Sequence, residues 1–158
     1  MFVIVLAAET ARLVIRNSQG YYAQHAVAIS SELIVVGATT EWAGTVSVFD
    51  RTSFDCLKEL EPDTPQRFGA AVAVGRVIVV GSQDSAFVYD KDFRRTANLT
   101  GDAADFGIAV AVSDDYIVVG SSGCAFVYRH DFSLAVLTGS DGFGGAVAVG
   151  FVIAVGSN

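Results

Sequence analysis

The chain has little of what many functional classes require. Its 158 residues include two cysteines, two prolines, one methionine and one tryptophan. Cys56 and Cys124 are far apart, and neither has a second cysteine nearby. They therefore suggest neither a disulfide framework nor a zinc knuckle, and they leave the compartment open. No apolar run exceeds about seven residues, far short of a membrane span. Positive charge is also scarce: 10 Lys and Arg stand against 17 Asp and Glu, for a net charge of −7. Phosphate backbones and anionic lipid repel such a chain, so neither nucleic acid nor a membrane is an expected partner. Charged residues make up 17% and hydrophobic residues 52%, which argues against disorder and implies a large buried core. The run from Phe2 to Leu6 has no positive charge before it and is short for a secretory signal, so it reads as a strand. Asn98-Leu99-Thr100 is a glycosylation sequon, relevant only to a secreted protein.

What the sequence does have is glycine, at 16 positions, and a repeat. Phe68-Gly-Ala-Ala-Val-Ala-Val74 recurs as Phe106-Gly-Ile-Ala-Val-Ala-Val112 and as Phe143-Gly-Gly-Ala-Val-Ala-Val149. Each copy is followed by a second apolar run ending in glycine, at Gly81, Gly120 and Gly156. A third run, Ala-Phe-Val-Tyr, occupies 86–89 and 125–128, and a fourth ends in Leu99-Thr-Gly101 and Leu137-Thr-Gly139. A looser copy covers Ala26–Ile29, Leu33–Gly37, Thr45–Phe49 and Cys56–Leu60. The runs are too short for helices and are separated by turn residues. Each unit is therefore expected to be a four-stranded antiparallel meander. Such a sheet has two faces to bury, and radial stacking of units buries them. The predicted fold is an all-β propeller in a single domain, with whole blades at 21–60, 68–100 and 106–138.

The motif resembles the FG-GAP repeat, the integrin-α type of propeller blade. The matching residues are Phe68-Gly69, Phe106-Gly107 and Phe143-Gly144, with Val80-Gly81-Ser82, Val119-Gly120-Ser121 and Val155-Gly156-Ser157 as the GAP part. The first copy has Ala23-Gln24 in place of Phe-Gly. Calcium-binding members of that family carry an Asp-rich loop between strands one and two. Here those loops are Gly75-Arg76, Ser113-Asp114-Asp115, Ser30-Ser31-Glu32 and Gly150, too short to supply six to eight oxygens. No metal or cofactor is expected.

Residues 1–17 read as strands three and four of a closing blade whose strands one and two are residues 143–158. Such two-plus-two closure hides the sheet edges. It allows a four-bladed ring from one chain or an eight-bladed ring from two chains that exchange halves.

In a meander the loops alternate between the two faces of the disc. The face with the 4-to-1 and 2-to-3 loops carries Glu41, Glu61, Asp63, Asp84, Asp102, Asp105 and Asp141 against Arg67 alone, a net −6; the other face is close to neutral at −1. The acidic face also holds Trp42, with Tyr21 and Tyr22 nearby in the chain. The candidate binding set is thus Trp42, Glu41, Tyr21, Tyr22, Asp84, Asp102, Asp105 and Asp141, suited to a protein or basic peptide partner. The competing reading is that Trp42 caps its blade and the aspartates bond turn amides. No catalytic set emerges, and no enzyme is expected. His25 and His130 are isolated, and Ser82, Ser121 and Ser157 lack the strand-to-helix elbow of a nucleophile. Asp92-Phe93 and Asp131-Phe132 recur one blade apart, as a repeated turn would.

Overall fold

The computed structural model describes residues 2–5, 12–15, 24–39, 44–62, 67–140 and 142–157. Every regular element among them is a strand. Three four-stranded antiparallel meanders follow one another. The first comprises β3 (Gln24–Ile29), β4 (Leu33–Thr39), β5 (Gly44–Asp50) and β6 (Cys56–Leu60). The second comprises β7 (Ala71–Val74), β8 (Ile78–Ser82), β9 (Ser85–Tyr89) and β10 (Arg95–Leu99). The third comprises β11 (Ala109–Val112), β12 (Tyr116–Ser121), β13 (Cys124–Arg129) and β14 (Leu134–Thr138). Two hairpins complete the set, β1 (Phe2–Val5) with β2 (Arg12–Ile15) and β15 (Phe143–Val149) with β16 (Ile153–Ser157). These are separate two-stranded sheets. The strands fall where the apolar runs predict them, but the expected β16–β1 pairing is not present in this single chain.

The meanders stack face to face. First strands meet first and second strands of the neighbouring unit, as β3 and β4 meet β7, β7 and β8 meet β11, and β11 and β12 meet β15. The units therefore converge at their first strands and fan out toward the fourth, as blades do. Alternation along each strand sends one set of side chains to each neighbour. Val35, Val46, Val48 and Leu60 of the first blade pack on Phe68, Ile78, Val80 and Phe87 of the second. Val79, Ala86, Val88 and Leu99 turn the other way, onto Phe106, Ile117, Val119 and Phe126 of the third. Val118, Ala125 and Val127 then receive Phe143, Val147, Ile153 and Val155.

The Phe-Gly pair has a distinct job in this packing. Phe68 and Phe106 are fully buried. They meet Phe87 and Phe126 edge to face, with centroids 5.6 and 4.9 Å apart, the favoured arrangement for two rings. The glycine that follows has φ of +85° at Gly69, +95° at Gly107 and +92° at Gly144. Its carbonyl lies against the glycine ending the second strand of the preceding blade. A Cβ at Gly37, Gly81 or Gly120 would collide with the carbonyl oxygen of Gly69, Gly107 or Gly144 respectively. Both glycines of the repeat thus serve one contact between blades.

The 3-to-4 turns recur as well. Phe54, Phe93 and Phe132 each have φ of +62°, an unusual value for a bulky residue. In each turn the phenylalanine N–H donates to a carbonyl at the end of the third strand: that of Asp50 at 3.0 Å, Asp90 at 3.1 Å and Arg129 at 2.8 Å.

Candidate functional site

Inter-strand turns emerge on two sides of the blade array, and the hydrogen bonds separate them. On one side, Ser122 N–H donates to Ala104 O at 2.8 Å, tying a 2-to-3 turn to a 4-to-1 connection. On the other, Arg51 N–H donates to Glu32 O at 2.9 Å, and His130 Nε2 lies 3.1 Å from Ser113 O, joining 3-to-4 turns to 1-to-2 turns.

On the second side several carboxylates are bound within their own turns. The Asp50 carboxylate accepts from Thr52 N–H at 2.7 Å and Ser53 N–H at 2.8 Å, and these bonds, the one from Ser53 foremost, hold its pKa below the ordinary value. Asp90 accepts from Asp92 and Arg94 N–H, both at 2.9 Å. Asp131 accepts from Ser133 Oγ at 2.6 Å and Ser133 N–H at 2.9 Å, and the hydroxyl bond leads the lowering of its pKa. Among the described residues both ion pairs lie on this side, Lys91–Glu32 at 3.4 Å and Arg94–Asp92 at 3.7 Å. Carboxylates bound to turn amides have a structural task; the sequence reads Asp92-Phe93 and Asp131-Phe132 as a repeated turn, and Asp131 holds the later one while Asp90, not Asp92, holds the earlier.

The first side differs. Glu61, Asp84, Asp102 and Asp105 are all exposed there. Asp84 sits in the β8–β9 hairpin with φ of +58°, and Asp105 precedes Phe106 with the same φ. Aspartate tolerates this left-handed conformation better than most residues. The position before the phenylalanine is left-handed in all three Phe-Gly copies: Arg67 (φ +54°), Asp105, and Gly142 (φ +84°). The backbone thus accounts for the conformation at Asp105, while the repeat leaves the side chain free to vary. A small surface pocket of about 60 Å³ lies between Arg67, Ala70, Ser82, Gln83 and Asp105, floored by Phe106 and Gly107. Asp105 therefore faces the hairpin that carries Asp84, across one blade boundary. Trp42, Glu41, Tyr21, Tyr22 and Asp141 lie outside the described residues. Sequence reading missed the pocket, because Arg67 and Gln83 come together only through the stacking of two blades.

Among the described residues no group of three or more His, Cys, Asp or Glu could hold a metal ion. Nor, among the described residues, is there a helix long and apolar enough to cross a membrane.

Comparison with known proteins gives the fold and no more. No family model matches the chain, and no curated protein does. Among solved structures, the β-propeller domain of Cps50 (Swd1) from Myceliophteria thermophila superposes with a TM-score of 0.56 at 12% identity, over 78% of this chain and 38% of that one. KlHsv2 with its loop 6CD replaced by a Gly-Ser linker superposes with a TM-score of 0.52 at 10% identity, over 77% of this chain and 44% of that one. The chain spans less than half the length of either structure. With the fan of blades described above, this makes the fold propeller-like.

Proposed function

We propose that the chain is a non-catalytic binding or scaffold propeller that recognises a cationic protein segment on its acidic side. The observation that carries this reading is the contrast between the two sides. On one side the Asp50, Asp90 and Asp131 carboxylates are bound within their own turns, and Glu32 and Asp92 pair with Lys91 and Arg94, whereas on the other Glu61, Asp84, Asp102 and Asp105 stand exposed, Asp105 at the edge of a small pocket. Clustered exposed carboxylates attract basic partners over about a Debye length, roughly 8 Å at physiological salt. The FG-GAP resemblance belongs to this proposal too, supported by the buried Phe68 and Phe106 and by the glycine contact between blades. Trp42 and Glu41 from the longest loop, with Tyr21, Tyr22 and Asp141, would add apolar and acidic contacts.

An oligolysine peptide tests the acidic side. Binding that weakens as salt rises, and that falls several-fold on Asp102→Asn with Asp105→Asn, supports the reading. Binding unaffected by both changes, or absent at low salt, overturns it. Trp42→Ala separates recognition from packing. The proposal expects weaker peptide binding with an unchanged melting curve; a lower melting temperature with unchanged binding assigns Trp42 to the core.

A second reading is that of a self-assembling building block. One observation favours it: the array carries half-blades whose sheets are incomplete.

A further inference from the structure

The two outer faces of the array are uncovered in opposite halves. On the first blade, Val27 pairs with Val36 across β3 and β4, and Ile29 pairs with Ile34. Directly paired residues share a face of the sheet. Yet Val27 and Ile29 are 45% and 48% exposed, while Val36 and Ile34 are 1% and 0%. The face turned away from the second blade is therefore open over its first strand and covered over its second. On the third blade the pattern reverses. Val118 and Ala125 are fully buried beneath β15 and β16, but Leu137, paired with Ala125, is 39% exposed. Its counterparts Leu60 and Leu99 are 3% and 6% exposed. One end lacks the inner half of a neighbouring blade, and the other lacks the outer half.

The half-blades match these vacancies. β15–β16 is an inner pair, and its outward side is bare: Ala146, Ala148, Ala154 and Gly156 are exposed. Among the described residues, a Cβ on Gly156 would meet Ala146 alone, at 3.5 Å, whereas at its counterparts Gly37, Gly81 and Gly120 it would collide with the backbone of the next blade. β1–β2 is a pair with no inner strands. The turn tips agree. In the first and third blades the 3-to-4 turn lies beside the 1-to-2 turn. At the corresponding tip of β15–β16, Phe151 is fully exposed.

Within one chain the two half-blades stay apart: β1–β2 and β15–β16 form separate sheets, and Val27, Ile29 and the outward side of β15–β16 remain exposed.

We propose that a second copy of this chain completes the blade. β15–β16 of one copy covers Val27 and Ile29 of the other, and its β16 edge pairs with β1 there. Two such junctions, related by a two-fold axis, close a ring of eight blades, six whole and two composite. This rests on the self-assembly reading and is independent of the acidic side.

The test is the sedimentation mass of the full chain and of two variants at exposed positions, Val27→Asp and Ala148→Asp. The expected result is a wild-type mass twice 16.5 kDa, with each variant monomeric and still rich in β structure. Mixing the variants leaves one junction intact per pair, so a weaker heterodimer should form. A wild-type chain that stays monomeric at every concentration overturns the self-assembly reading itself. A dimer that both variants preserve keeps self-assembly and overturns this interface. Two monomeric variants that form no heterodimer when mixed also overturn the two-junction geometry.

Discussion

The second and third blades meet through the same residues as the third blade and the final half-blade, yet the two regions differ in what is buried. Between complete blades, Leu99 is 6% exposed and Gly81 lies against the Gly107 carbonyl. At the end of the array the same repeat positions are Leu137, 39% exposed, and Gly156, also exposed, where among the described residues a Cβ would make no more than ordinary contact with Ala146. Residue type is constant and environment is not. A repeat thus encodes the interface, but a neighbour must be present for the interface to stabilise anything.

The strongest way to break this comparison is to add one methyl group. Gly81→Ala drives a Cβ into the backbone of the next blade, where no rotamer change can relieve it. A loss of about 3 kcal/mol or more is expected, at the upper end for overpacking. Gly156→Ala should leave the monomer within about 0.5 kcal/mol of wild type. Denaturant melts of both variants check this, and equal losses would remove the distinction between the regions.

Next in size is the leucine pair. Leu99→Ala should cost about 3 kcal/mol, within the range for a buried leucine. Leu137→Ala should cost less than about 1 kcal/mol in monomer, and more where a second copy covers it. Urea titration at low and high protein concentration reads both.

The repeated turns sharpen the comparison further. Phe93 and Phe132 share φ of +62°, but Phe93 packs on the core between the first two blades while Phe132 is 42% exposed. Glycine relieves left-handed strain at either position. Phe132→Gly should therefore be neutral or stabilising by up to about 1 kcal/mol, whereas Phe93→Gly should lose stability. Thermal melts of the two variants give the sign.

The smallest effect is that of acid. Asp50 and Asp131 have pKa values held below the ordinary 3.8 by hydrogen bonds from their turns. A carboxylate with a depressed folded-state pKa contributes stability that is complete above its unfolded value and is lost as pH falls through the folded one. The turns at 50–55 and 129–133 should thus keep their amide shifts down to about pH 3.8 and lose them below it, in an NMR titration following Ser53 and Ser133. Midpoints at or above 3.8 would contradict the turn geometry.

Much of the fold was legible because each strand is a short apolar run bounded by turn residues, and because Phe-Gly recurs in register. The blade boundaries follow from that register alone. The glycine-to-glycine contact was not legible, since it joins residues 24 to 32 positions apart through stacking. Nor was the difference between Leu99 and Leu137, which are the same residue in the same motif. Closure could be drawn from the sequence in two ways, within a chain or between chains, because complementary half-blades look alike in both; the single chain leaves its half-blades in separate sheets, with Val27, Ile29 and Leu137 exposed. On the acidic side the charge asymmetry was plain in the sequence. The left-handed turns at Asp84 and Asp105 were not, and they give two of the candidate carboxylates a backbone setting as well as a charge.

Native-state hydrogen exchange on β8, β12 and β16 as chain concentration rises tests the central claim most directly. β8 and β12 lie inside whole blades, so their amides should be strongly protected at every concentration. β16 has a free edge in one chain, so its outward amides should exchange fast when dilute and slow as the second copy adds β1. Protection of β16 that does not change with concentration, whether high or low, would contradict closure by a second copy.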